Sequence, residues 1–120
     1  MITVTFSDAP VAVVCHVAGD LDAFSASSFR TDTAVFSRAS KAVVLDLTGV
    51  GFVDGTGLAA LLGVVRHCHE RGLAVRCCAR WPVSRALVRV GFGRMAPLAA
   101  SVDDALASLP SISEGRAVAG

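Results

Sequence analysis

Residues 43–63, VVLDLTGVGFVDGTGLAALLG, read as a strand, a glycine-rich turn and an amphipathic helix. The apolar run Ala42–Leu47 has the continuous character of a strand buried on both faces. Downstream, Leu58, Leu61, Leu62, Val65 and Cys68 recur at helical spacing, while Arg66 and Glu70 fall outside that stripe. Between them lies Asp54-Gly55-Thr56-Gly57, with the Thr56 hydroxyl near the positive end of the coming helix. A hydroxyl there can cap the helix, bind an anion or accept a phosphate. Asp54 competes with Thr56 for the capping role.

The flanking segments extend this unit into an α/β fold. Ile2–Phe6 and Val11–Val17, separated by Ser7-Asp8-Ala9-Pro10, predict an antiparallel hairpin, which Gly19-Asp20-Leu21-Asp22 is expected to end. A helix is predicted over Ser25–Arg38, with Ser25 as cap, Phe24 and Phe29 as a hydrophobic staple and Phe36 continuing the buried stripe. Gly72 sits where the helix begun in the glycine-rich turn should stop. Ala74–Ala79 is the next strand. Pro82 opens a short helix with Val83, Leu87 and Val90 inward, closed by Gly91 and Phe92. Met95–Leu98 reads as an edge strand, and Ser101-Val102-Asp103-Asp104 as a capping box opening a last helix through Leu109. Alternating strands and helices imply crossover connections and a mixed, mostly parallel sheet with about four helices. We expect one domain over residues 1–109 and a flexible tail over 110–120, where SISEGRAVAG has no periodicity.

Composition excludes several function classes. Of 120 residues, 53% are hydrophobic and 18% charged, enough for a core without staples. The net charge is +1 with scattered arginines, which leaves no continuous basic face for nucleic acid. No apolar run is long enough to cross a membrane, and MITVTFSDAP lacks a basic segment followed by an apolar core. The expectation is a soluble cytoplasmic protein. Cys15, Cys68, Cys77 and Cys78 are then read as free, buried thiols. His67, Cys68 and His69 are consecutive on a helix and diverge by about 100° each, and Cys77 and Cys78 alternate in a strand, so no metal site is expected. Gly49-x-Gly51 begins a dinucleotide fingerprint, but its third glycine would be Asp54, whose carboxylate repels a pyrophosphate, and no Gly-Lys-Ser/Thr occurs. No cofactor is expected. Nor is catalysis: Cys15 and His16 are adjacent in a strand and point to opposite faces, leaving no Ser/Cys–His–acid set.

Taken together, Gly19-Asp20-Leu21-Asp22, VVLDLTGVGFVDGTGLAALLG and the βα unit after it resemble the STAS domain of bacterial anti-sigma factor antagonists. That pattern is a G-E-L-D turn followed by D-L-x-x-(V/L)-x-F-(M/I/V)-D-S-(S/T)-G-(L), and the resemblance spans about residues 2–109. It implies a protein that binds a GHKL-type anti-sigma factor kinase and thereby releases a sigma factor, a transcription-regulating protein–protein interaction. In such proteins the serine directly after the motif Asp is phosphorylated by that kinase, which breaks the complex. Here Gly55 occupies that position, and Thr56 matches the neighbouring Ser/Thr. The resemblance thus implies a partner surface of Asp20, Asp22, Asp54, Gly55, Thr56, Gly57 and Leu58, with Thr56 a candidate phosphoacceptor although its counterpart in the family is normally not the phosphorylated residue. Simpler roles stand beside it: Asp22 as a helix cap, and Gly55 as a residue needed for positive φ. The alternative function is a STAS-like small-ligand sensor or scaffold module, and an exposed edge strand leaves a dimer open.

Overall fold

The predicted central strand occupies the middle of a five-stranded sheet in a computed structural model that describes residues 2–35 and 41–110. Strands β1 (Ile2–Asp8), β2 (Ala12–Leu21), β3 (Ala42–Val53), β4 (Val75–Ala79) and β5 (Leu98–Ala99) lie side by side in chain order. The β1–β2 pair is antiparallel and the other three pairs are parallel. Helices α1 (Ala26–Thr33), α2 (Gly55–Glu70), α3 (Val83–Arg89) and α4 (Val102–Ala107) complete the single α/β domain.

Strand alternation divides the interior into two cores. Cys15 and Val17 of β2, Val43, Leu45 and Leu47 of β3, and Val75 and Cys77 of β4 join Phe29 of α1, Leu61 and Val65 of α2 and Leu87 of α3 in the larger one. On the opposite face Val14 and Val44 meet Ala105 of α4. Each fully buried Leu, Val or Phe contributes about 1.5–3 kcal/mol relative to exposure, which makes the larger cluster the main support of the fold. Helix α2 stops as expected: Gly72 has φ +73°, its N–H donates to the His69 carbonyl at 2.9 Å, and the Leu73 N–H reaches Cys68 at 2.9 Å. This is the paired carbonyl capping that only a left-handed residue permits cheaply.

Several boundaries differ from the sequence reading. Strand β2 runs through Gly19 and Asp20 to a fully buried Leu21. It can do so because β3 continues past Leu47, pairing Gly19 with Val50, Asp20 with Phe52 and Leu21 with Val53 across two irregularities of register. A bulge absorbs Gly19, whose φ is +107°, instead of ending the strand. Helix α1 is regular only through Thr33, and Phe24 is 98% exposed, so no hydrophobic staple forms with buried Phe29. Val90 is exposed rather than inward, because Gly91 in the left-handed region turns the chain after Arg89. The edge strand is shorter and later than predicted, at Leu98–Ala99, and follows a 3-10 turn at Phe92–Arg94. Phe36 and the tail beyond Pro110 lie outside the described residues. Among the described residues no helix is long and apolar enough to cross a membrane.

Candidate partner-binding site

The glycine-rich turn delivers the chain from β3 into α2 at the carboxyl edge of the parallel strands. Asp54, with extended φ −99° and ψ −176°, is the N-cap. Its Oδ1 accepts the Gly57 N–H at 2.8 Å and its Oδ2 accepts the Ala23 N–H at 3.1 Å, tying the helix start to the turn after β2. The Asp54 N–H donates to the Leu21 carbonyl at 3.2 Å. Thr56 therefore is not the cap. It stands one residue into the helix, exposed.

The two glycines flanking Thr56 do different things. A Cβ on Gly57 would lie 2.6 Å from the Leu21 carbonyl carbon and closer still to its oxygen, so glycine is demanded by close approach of backbone to backbone. A Cβ on Gly55 would meet nothing within 4 Å. Nor does Gly55 have positive φ: the glycines that do are Gly19, Gly72 and Gly91. The conformational explanation for Gly55 is thus overturned, since the first residue of a helix has φ open to any side chain.

Asp22 organises the entry to α1. Its Oδ1 accepts the N–H groups of Phe24 at 3.0 Å and Ser25 at 3.1 Å, while its own N–H donates to Ser25 Oγ at 3.0 Å. The Ser25 hydroxyl in turn donates to the Asp20 carbonyl at 2.7 Å. This reciprocal arrangement is a capping box, with Asp22 as the cap in place of Ser25. Asp20, paired with Phe52 across the β2–β3 ladder, is exposed, and its carboxylate makes no hydrogen bond among the described residues. The structure therefore brings Asp20, Asp22 and Asp54–Leu58 to one sheet edge, and of the three carboxylates only that of Asp20 makes no hydrogen bond among the described residues. Sequence reasoning missed what surrounds them. Phe24, Phe52 and Trp81 are 98%, 53% and 75% exposed and follow or end β2, β3 and β4 at this same edge. Exposed aromatics beside charge are the residue types that anchor interfaces.

The glycines and cysteines outside the turn have positions of their own in the fold. Gly49 and Gly51 lie inside β3 rather than at a helix start, and a Cβ on Gly49 would press on Ala18 of β2 at 3.0 Å. Cys68 and Cys77 are buried in the larger core, while Cys78 faces the other side of the sheet, with its thiol 3.6 Å from Asp46 Oδ1. Burial pushes the thiols of Cys15 and Cys78 up to about 12, and raises Cys68 and Cys77 as well.

One expectation is contradicted outright: a Ser–His–acid set does exist. His16 Nε2 is 2.9 Å from Ser7 Oγ, and His16 Nδ1 is 2.7 Å from Asp46 Oδ2. The prediction paired His16 with its neighbour Cys15, which does face away. The partners come instead from β1 and β3, on the same face of the sheet as Val14 and α4. Burial raises the Asp46 pKa, but hydrogen bonds from Thr48, His16 and Cys78 outweigh it and hold the carboxylate below its ordinary value.

Comparison with known proteins follows the same lines. A candidate anti-anti-sigma factor of Mycobacterium tuberculosis is 29% identical over 99 residues, covering 79% of this chain and 67% of that one. The crystal structure of an anti-sigma factor antagonist from Mycobacterium paratuberculosis superimposes with a TM-score of 0.78 at 26% identity, over 90% of this chain and 93% of that one. A sulfate transporter family protein from Wolinella succinogenes shares the fold, with a TM-score of 0.71 at 23% identity over 84% and 87% of the two chains. The profile of the STAS domain matches residues 2–105. Spanning both the β1–β2 hairpin and the α4 cap, that match makes this chain a member of the STAS domain family.

Proposed function

We propose that this protein is an anti-sigma factor antagonist that acts by binding, not catalysis, in the bacterial cytoplasm. Its partner is a GHKL-type anti-sigma factor kinase, held by Asp20, Asp22, the Asp54–Leu58 turn and the exposed start of α2. The observation that carries this reading is the helix start itself: a capped, exposed turn at the sheet edge, with a free carboxylate at Asp20 and aromatics beside it. The family switch is a phosphate on the residue after the motif Asp, where it adds nearly two negative charges at a partner-facing surface. Gly55 offers no hydroxyl there, so binding is constitutive unless Thr56, one residue on, takes the phosphate.

Native and intact mass spectrometry with kinase-type anti-sigma factors, with and without ATP, tests this. A complex that persists with ATP and gains no phosphate supports a constitutive antagonist. Phosphate on Thr56 with loss of the complex moves the switch by one residue, and failure to bind any folded, active kinase refutes the proposal. The second reading, a small-ligand sensor, is favoured by a cavity of about 300 Å³ between α1 and α2, lined by Thr33, Ala60, Gly63 and Val64 with Arg30 and His67 at hand. A small molecule retained through purification would support it.

A further inference from the structure

The hydrogen-bonded chain from Ser7 through His16 to Asp46 is not used by the proposed partner surface. It is built from three neighbouring strands: Thr5 lies across from His16, Ser7 two residues further along β1, and Asp46 is the parallel partner of His16 on β3. Both contacts, at 2.9 and 2.7 Å, fall within the reach that links a nucleophile, a base and the group orienting the base. Asp46 is itself fixed. Its Oδ1 accepts the Thr48 hydroxyl at 2.6 Å, the Thr48 N–H at 3.1 Å and the Cys78 thiol at 3.6 Å, leaving Oδ2 for His16. An ionised carboxylate only accepts, so the neutral imidazole carries its proton on Nδ1 and turns the Nε2 lone pair to the Ser7 hydroxyl. Access is open: the His16 side chain is 39% exposed and the Asp46 side chain 14%, and Ser7 lies on the exposed edge strand.

We propose that Ser7, His16 and Asp46 form an acyl-transfer site in which Ser7 accepts an acyl group from a small activated ester. Ser7 Oγ forms a bond to the acyl carbon while its proton passes to His16 Nε2. The bond from that carbon to the leaving oxygen breaks, and the leaving alkoxide or phenoxide takes the electron pair and then the proton from His16. The product is an ester on Ser7 and a free alcohol; water, activated by the same imidazole, can return the serine and release the acid. Asp46 is the positioning residue. The exposed serine hydroxyl and the part-exposed imidazole admit a small activated acyl group from solvent. Solvent has free access, which makes single acylation the appropriate readout.

The test treats the full chain with p-nitrophenyl acetate and, separately, a fluorophosphonate, and maps the modified residues by peptide mass spectrometry. One group on Ser7 is expected. His16→Ala should slow its appearance by about 10²-fold, with added imidazole restoring part of the rate. Asp46→Asn should slow it as well, and Asp46→Glu, which keeps an acceptor for Nδ1, should recover part of the loss. That recovery is something loss of fold would not produce. Ser7→Ala removes an exposed hydroxyl, retains the fold and should abolish the label. Acylation of Ser7 no faster than that of exposed Ser28, or a Ser7 rate indifferent to His16→Ala, overturns the proposal.

Discussion

Replacing Gly57 by alanine should be the most damaging single-methyl change in this protein. The added Cβ would fall 2.6 Å from the Leu21 carbonyl carbon, where ordinary contact begins at 3.4 Å. Both partners are backbone, one at the end of β2 and one in the first turn of α2, so no side-chain rotation relieves the overlap. The helix start must withdraw by roughly 1 Å, a displacement that core overpacking penalises by about 1–3 kcal/mol. Withdrawal also stretches the Asp54 N–H to Leu21 bond of 3.2 Å and the charge-assisted Gly57 N–H to Asp54 bond of 2.8 Å. Losing much of the second costs about 1.5–3 kcal/mol. The sum, about 2.5–6 kcal/mol, is a large share of a total on the order of 10 kcal/mol for a domain this size. Urea unfolding followed by circular dichroism should show the midpoint falling by about 2 M. Gly55→Ala is the matched control: open space and helical backbone should make it neutral or stabilising by about 0.5 kcal/mol. A Gly57→Ala variant within about 1 kcal/mol of the parent would refute the close approach.

Five further outcomes follow from the same geometry. Asp54→Ala removes the cap and the tie to Ala23, and should cost about 2 kcal/mol, with faster hydrogen exchange at the Ala23 and Gly57 amides. Asp20→Lys should leave stability within about 0.5 kcal/mol of the parent yet weaken kinase binding by about 2 kcal/mol. Asp22→Lys should lose both binding and stability, and equal stability of the two variants would remove the capping role of Asp22. The raised thiols predict that iodoacetamide at about pH 8 modifies none of the four cysteines in the native protein and all of them in urea; rapid native labelling of Cys78 would contradict its burial. Because Asp46 has a lower pKa folded than unfolded, its contribution is present above the ordinary 3.8 and fades as pH falls through the depressed value. The stability gap between the parent and Asp46→Asn should therefore close below about pH 3.8, and a gap unchanged at pH 2 would show that the carboxylate charge is not its source.

What could be read from the chain beforehand was whatever local chemistry decides. The apolar run at Ala42–Leu47 located the central strand, Gly72 the end of α2, and Ser101 the start of α4, whose hydroxyl accepts the Asp104 N–H at 3.0 Å. What neighbouring strands decide was not legible. Gly19 looked like a strand terminator, yet β3 supplied a ladder long enough to carry β2 past it to Leu21. Phe24 carries no local mark distinguishing a staple from an exposed anchor, because exposure depends on what the finished fold places above it. The site shows the same division. Asp22 and Asp54 were legible as capping types, whereas the division of labour that leaves Asp20 free depends on hydrogen bonds to Ala23, Phe24 and Ser25. The Ser7–His16–Asp46 chain required the register of three strands. The 2-residue period could place His16 on a face but could not say that Asp46 would stand beside it.

The sheet order has a consequence for how the protein is made. Each strand lies beside the one synthesised just before it, so no later strand must be threaded between two that have already paired. A nascent chain emerging at about 5–20 residues per second can form the β1–β2 hairpin first and then add β3, β4 and β5 at a single growing edge. Only α4, the last described helix, closes the second face. Until it leaves the ribosome, Val14 and Val44 remain uncovered, which makes the final helix the step at which vectorial assembly hides its last apolar surface.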